Sequence, residues 1–344
     1  MSSPIETLQS LFDREYYTRE FIEKYVKLEE QLNTAPLPPI SRLSMYTARN
    51  TSSQPKGPGK QIIFCSYHQL AYPQRHRIAC DPKFKGMLVR VADRPRREPS
   101  ACCDTVDQEA EFANFKQKWL KSQMLKDIAE HLTKHAPQMA HVSKVVCFGL
   151  GHLATTSAPS HLEFNPEDHG ARSWIQHVAA SQIGDMLRMF TGNPDIRFYA
   201  QDPAYCDNCM EILSQNLQIE VLDGNRGFLE LDSETFVISV APDVPVQQIV
   251  GDMLGDSGGP AGMFCQQING DEHGRGMSAL SSDTPFDASS PRVQRFRMDN
   301  GVLEREGLND VDATEAWSVN GRLVDVGACA FGPFDHGIYL RKGV

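Results

Sequence analysis

The chain is short of positive charge, of long apolar runs and of any ordered cysteine pattern, and each shortage removes a class of protein. Lys and Arg number 34 against 44 Asp and Glu, for a formal charge of −10 over 344 residues. Phosphate backbones are held by clustered Lys and Arg, so a nucleic-acid groove is not expected. The one basic cluster, Arg94-Pro-Arg-Arg97, is short, lies in a Pro-rich stretch and reads as solvated loop before it reads as a docking signal. No apolar run approaches the roughly 18 residues of a membrane span. The start, Met-Ser-Ser-Pro-Ile-Glu, lacks the basic-then-apolar order of a secretory signal. The nine cysteines (65, 80, 102, 103, 147, 206, 209, 265 and 329) are an odd and scattered set in a chain large enough to need no staples. The expected setting is reducing, cytoplasmic or nuclear or both, with no membrane and no nucleic acid among the partners.

What is present, 40% hydrophobic and 23% charged residues, is ordinary globular composition. Apolar residues from Phe12 through Tyr16, Tyr17, Phe21, Tyr25 and Leu28 recur at helical spacing and predict an amphipathic helix to about Leu32, docked on the main domain. Pro36, Pro38 and Pro39 end it. A short strand is expected over 62–67, after a segment rich in Pro, Ser and Gly that runs through Gly59. A second helix is expected over 108–134, with Phe112, Phe115, Trp119, Leu125, Ile128 and Leu132 as its stripe.

Strands at 144–148, 196–200, 218–222, 235–240 and 261–265 then alternate with helices at 172–190, 204–216 and 245–254. That alternation predicts an α/β fold, a Rossmann-like and mostly parallel sheet flanked by helices. Residues 266–316 are rich in Gly, Ser, Asp and Asn and read as a flexible excursion, with edge strands at 317–319 and 323–326. The expected organisation is an N-terminal helix (1–35), an irregular linker with short strands (36–107), the Rossmann-type domain (108–267) and a C-terminal excursion with edge elements (268–344).

The segment Lys144-Val-Val-Cys-Phe-Gly-Leu-Gly151 carries the most information. A buried strand runs into a Gly-x-Gly turn, and in open α/β sheets ligands bind at the carboxyl ends of such strands. Gly149, Gly151 and His152 are therefore candidate cofactor-binding residues, as are Asp202 after the second strand and Asp243 after the fourth. Asp202 is placed to accept from a ribose hydroxyl, and equally to cap a helix with Pro203 at its first position. A standard dinucleotide fingerprint wants its acid about 20 residues after the glycines. Here the interval is filled by a polar loop from Ser157 to Asp168, so nucleotide or S-adenosylmethionine binding, some other small ligand and a purely structural turn all stand.

Two other motifs invite chemistry. Cys206-Asp-Asn-Cys209 has Cys-x-x-Cys spacing but no second Cys/His pair at zinc distance, and reads as structural; no metal site is expected. Gly255-Asp-Ser-Gly-Gly-Pro260 repeats the nucleophile motif of chymotrypsin-like proteases. Without the upstream His and Asp context of that family it reads as a turn before the last parallel strand, and a serine protease is the remote alternative.

Blocks between about Phe112 and Gln267 resemble the sensitivity-to-red-light-reduced-like (SRR-like) domain family, and look closest to its fungal branch. The carrying residues are Lys144 to Gly151, Gln176-His-Val-Ala-Ala180, Tyr199-Ala-Gln-Asp-Pro203, Ile219-Glu-Val-Leu222 and Phe236-Val-Ile-Ser-Val-Ala-Pro-Asp243. The resemblance implies a Rossmann-like domain and a regulatory role exercised through protein partners, with no agreed catalytic residues and hence no defined enzyme activity. Plant relatives are associated with light signalling and the clock, a yeast relative with microtubule phenotypes and an animal relative with haem biosynthesis. Where many members have Pro-His-Cys-Pro after the fourth strand, this chain has Pro242-Asp-Val-Pro245, and neither Cys-Pro nor Cys-x-x-Cys-His occurs, so haem is poorly supported as a cofactor. The alternative to a partner-binding regulator is an enzyme or sensor for a nucleotide or S-adenosylmethionine, such as a divergent methyltransferase.

Overall fold

Apolar runs covered on both sides set the architecture. The computed structural model describes residues 15–34, 46–47, 56–67, 89–95, 108–153, 169–240, 242–268, 287, 289–299, 302–308, 317–319, 322–324, 330–331 and 335–342. In chain order these form helix α1 (Arg19–Thr34), strands β1 (Tyr46–Thr47), β2 (Lys56–Phe64) and β3 (Val89–Pro95), and helices α2 (Gln108–Leu120) and α3 (Gln123–Lys134). Then come β4 (Lys144–Phe148), α4 (His169–Thr191), β5 (Arg197–Gln201), α5 (Asp207–Leu217), β6 (Glu220–Val221), β7 (Thr235–Ser239), α6 (Val246–Leu254) and β8 (Gly262–Gln266). Helix α7 (Pro291–Asp299) and strands β9 (Leu303–Arg305), β10 (Trp317–Val319), β11 (Arg322–Val324) and β12 (His336–Leu340) follow.

Seven strands make one sheet in the order β6-β5-β4-β7-β8-β12-β9. The first five are mutually parallel, and β12 runs antiparallel between β8 and β9. This is the mostly parallel, Rossmann-like α/β sheet that the sequence predicts. Strand order reverses at β4, whose neighbours are β5 and β7, so the topological switch point lies at the end of the Gly-x-Gly strand. Two smaller sheets pair β1-β3-β2 and β10-β11.

Side chains of alternating residues go to opposite faces, as strand geometry requires. Val145, Cys147, Phe236, Ile238 and Phe264 enter a core covered by α2, α3, α4 and α5. Val146, Phe148, Val237, Met263 and Cys265 enter a second core under α1, β2, β3, α6 and α7. That second face has an unusual cover. The connection from β6 to β7, residues 222–234, carries only the 3-10 turn Arg226–Glu230 where a crossover helix would ordinarily lie. The N-terminal elements fill the space. Phe228 of the turn stacks on Phe148 with ring centres 4.7 Å apart, and Phe64 of β2 packs edge-on against it at 5.8 Å.

Several boundaries differ from expectation for local reasons. The helix expected over 108–134 is two helices, because the Ser122 side chain accepts from Leu125 N and caps a new one. The N-terminal helix begins at Arg19, with a bend at Tyr17 ahead of it; residues 12–14 lie outside the described part. The strand expected over 62–67 ends at Phe64 and starts as early as Lys56. Within 266–316, the described part is ordered: Ser290 and Pro291 open α7, and β9 joins the main sheet, while 269–286 and 309–316 lie outside the described residues. The segments at 317–319 and 322–324 pair with each other as a small antiparallel sheet. Strand β12, which the sequence pattern did not predict, adds to the main sheet instead.

Candidate functional site

The turn after β4 is built to stay where it is. Gly149 and Gly151 have φ of 70° and 74°, left-handed values that disfavour any side chain. Asp202, just past β5, holds the turn from one side: its Oδ2 accepts from Gly151 N at 2.8 Å and its Oδ1 from Ala204 N at 2.8 Å. Ser173 on α4 holds it from the other, donating to Leu150 O at 2.8 Å. Behind Ser173, His177 is fully buried, with Nδ1 2.7 Å from Ser173 O and Nε2 2.8 Å from the Tyr205 hydroxyl. A carbonyl only accepts, so Nδ1 carries the proton and Tyr205 donates to Nε2. Burial lowers the His177 pKa to about 4, which keeps the ring neutral.

The carboxyl ends of β4 and β5 and the loops after β6 and β7 form a crevice open to solvent, about 860 Å³ with the solvent space at its mouth included. Of the residues singled out in the sequence, Gly149, Asp202 and Asp243 line it. Gly151 contributes through its N–H, which anchors Asp202. His152 is half-buried beside the turn, within electrostatic reach of Asp202 and His177, but outside the lining. Burial raises the Asp202 pKa; the bonds from Ala204 and Gly151 oppose that, and the negative charge of Asp243 adds to it. Asp243 itself is exposed at the mouth.

The helix-capping alternative for Asp202 does not hold, because α5 starts at Asp207. Its cap is Cys206, whose Sγ accepts from Cys209 N at 3.4 Å and lies 3.5 Å from the Cys209 Sγ. The Cys-x-x-Cys pair is thus a buried helix start. The Ser257 hydroxyl donates to Leu254 O at 3.0 Å and closes the end of α6. Gly259 in the same motif faces the Phe296 ring so closely that a Cβ would fall 2.2 Å from Cδ2. Among the described residues no group of three or more His, Cys, Asp or Glu is arranged for a metal, and no helix is long and apolar enough to cross a membrane.

Sequence reasoning missed half of the crevice. Leu222, Asp223, Gly224 and Asn225 line it from the loop after β6, and the Asp-Gly-Asn run at a strand end was a readable turn signal. Glu29 of α1 and Gln61, Ile62 and Ile63 of β2 line it from the N-terminal side, which no motif announced. A buried acid also went unnoticed at the end of β7. Asp287 accepts from the Ser239 hydroxyl at 2.6 Å and from Gln247 N, at the start of α6, at 2.7 Å.

A family model of the SRR1 domain matches residues 128–312, just over half the chain. No curated protein matches the sequence. Among solved structures, a proposed methyltransferase from Thermobifida fusca YX is similar over 70% of this chain and 90% of its own, with 14% identity and a TM-score of 0.30.

Proposed function

The chain belongs to the SRR1 domain family, and from that premise we propose that it is a regulatory protein whose strand-end crevice binds a small cationic, hydroxyl-bearing ligand of the S-adenosylmethionine type. The occupied domain then acts through a protein partner in the cytoplasm or nucleus. One observation carries the ligand class: Glu29, Asp202, Asp223 and Asp243 line the crevice, and no Lys or Arg is among the described residues lining it. Phosphate-bearing nucleotides ordinarily meet cationic groups or a helix N-terminus, and four carboxylates would repel them. A sulfonium is attracted, and carboxylates are the natural acceptors for ribose hydroxyls.

A mostly parallel, Rossmann-like sheet with its crevice at the switch point is a common frame for nucleotide-type ligands. This is an analogy of fold, and fold alone does not assign chemistry. Methyl transfer asks chiefly for positioning, so the absence of a catalytic triad among the motifs is compatible with it.

The test is calorimetry and thermal shift with S-adenosylmethionine, S-adenosylhomocysteine, ATP, NAD and haem. S-adenosylmethionine at 100 times its Kd is expected to stabilise by about 2.7 kcal/mol. Asp243→Asn, at the exposed mouth, is expected to weaken it without unfolding the protein. Preference for ATP or NAD, or silence from the whole panel, would sink the ligand reading and leave partner binding as the function to pursue.

A further inference from the structure

One wall of the crevice comes from outside the segment that the SRR1 model matches. Glu29 stands on α1 and Ile62 on β2, both N-terminal to residue 128. Glu29 is a charged residue only 3% exposed. Its Oε1 accepts from Ile62 N at 3.3 Å and its Oε2 from Asn225 Nδ2 at 3.0 Å, and Asn225 also donates to Ile62 O at 2.7 Å. The carboxylate reaches the loop after β6 only because residue 224 is glycine: a Cβ there would lie 2.6 Å from Oε2. A side chain of the N-terminal helix, the N-terminal strand and the crevice loop are thereby tied into one hydrogen-bonded knot.

The same helix is fastened at its other end by a carboxylate outside the crevice lining. Asp252 of α6 accepts through Oδ2 from Tyr16 N at 3.0 Å, from Tyr17 N at 3.1 Å and from the Tyr67 hydroxyl. Its Oδ1 lies 3.4 Å from Arg292 Nε, and Arg292 Nη1 pairs with Glu15 at 2.6 Å. Asp252, which lies outside the crevice lining, thus anchors the residues that lead into α1.

We propose that α1 is a ligand-linked wall: the site is complete only when α1 is docked, and Glu29, carried in by that helix, is the carboxylate that selects a cationic ligand over its neutral counterpart. This rests on the reading of the crevice as a site for a ligand of the S-adenosylmethionine type. Linkage is reciprocal, so a ligand that needs docked α1 must hold α1 in place by the same factor.

The experiment uses the full chain and two probes, S-adenosylmethionine, a sulfonium cation, and S-adenosylhomocysteine, its neutral thioether. Wild type is expected to prefer the cation, and Glu29→Gln to bring the two affinities to within about twofold. Asp252→Asn, with Tyr17→Ala as a second route to the same loosening, is expected to weaken both probes about tenfold while leaving their ratio unchanged. Tryptic cleavage at Lys24 and Lys27 reports docking: S-adenosylmethionine should slow it in wild type, and the loosened variants should be cut faster.

If the loosened variants are cut faster yet bind both probes as wild type does, or if Glu29→Gln keeps the wild-type preference, the wall proposal falls while the ligand reading survives. Failure of wild type to bind either probe removes the ligand reading, and the proposal with it.

Discussion

Asp287→Asn should make the protein more stable at neutral and alkaline pH and no more stable below about pH 4. Asp287 is 2% exposed and sits where the end of β7 meets the start of α6. Burial pushes its pKa up from 3.8 to about 7, against the opposing bonds from Gln247 N and the Ser239 hydroxyl. In the unfolded chain the group titrates near 3.9. Between about pH 4 and pH 7 the folded protein therefore keeps a proton that the unfolded chain has lost, and its stability falls as pH rises through that window. A displacement of roughly three pH units at about 1.36 kcal/mol each makes the loss about 4 kcal/mol, complete above pH 7.

Asparagine keeps the geometry: its carbonyl accepts from Gln247 N and its amide donates to Ser239 Oγ. Nothing titrates. Urea denaturation at pH 5, 6, 7, 8 and 9 is the assay, read as the difference between variant and wild type so that other ionisations cancel. The difference should rise from about 1.5 kcal/mol at pH 5 to about 4 kcal/mol in favour of the variant by pH 8. A difference that stays flat across that range would refute a buried, proton-holding Asp287.

Three further outcomes are expected. His177, with its pKa lowered to about 4 by burial, should show no imidazole titration by NMR above pH 5, and the stability it contributes above pH 6.5, about 3 kcal/mol, should disappear as pH falls towards 4. Gly259→Ala should lower stability by about 1–3 kcal/mol through its clash with Phe296, more than Ser257→Ala, which loses one cap hydrogen bond of about 1 kcal/mol. Thermal melts of the two variants check the order, and the reverse order would mean the motif does more than turn the chain. Cys206→Ser should preserve the start of α5 while Cys206→Ala costs about 1 kcal/mol, because serine still accepts from Cys209 N; equal melts for the two would remove the capping role.

The parallel sheet was legible because strands buried on both faces are continuous apolar runs, and those runs fall at the expected positions to within about two residues. Gly149, Asp202 and Asp243 were legible as crevice residues by topology alone, since strand ends at a switch point face one another. Helix α7 was within reach. Ser290 followed by Pro291 is a start signal, and Ser290 does accept from Val293 N; the polar, glycine-rich residues ahead of it masked the pattern. Glu29 was out of reach. On an amphipathic helix one Glu among several reads as solvated face, and only the three-dimensional fit to Gly224 and Asn225 turns it inward.

The N-terminal elements and the crevice share one physical cause. A mostly parallel sheet must be covered on both faces. Here the β6 to β7 connection supplies a 3-10 turn in place of a helix, so part of one face has no cover from the ordinary alternation. Any segment that fills that gap lies beside the strand ends, because the turn it packs on leads directly from the loop bearing Asp223, Gly224 and Asn225. Burial of Phe64 against Phe228 thus brings β2 to the crevice edge, and α1, packed over β2, brings Glu29 with it. A packing requirement of the sheet and the chemistry of its site are met by the same residues. The N-terminal segment therefore forms one wall of the crevice, while the ends of the strands form its floor.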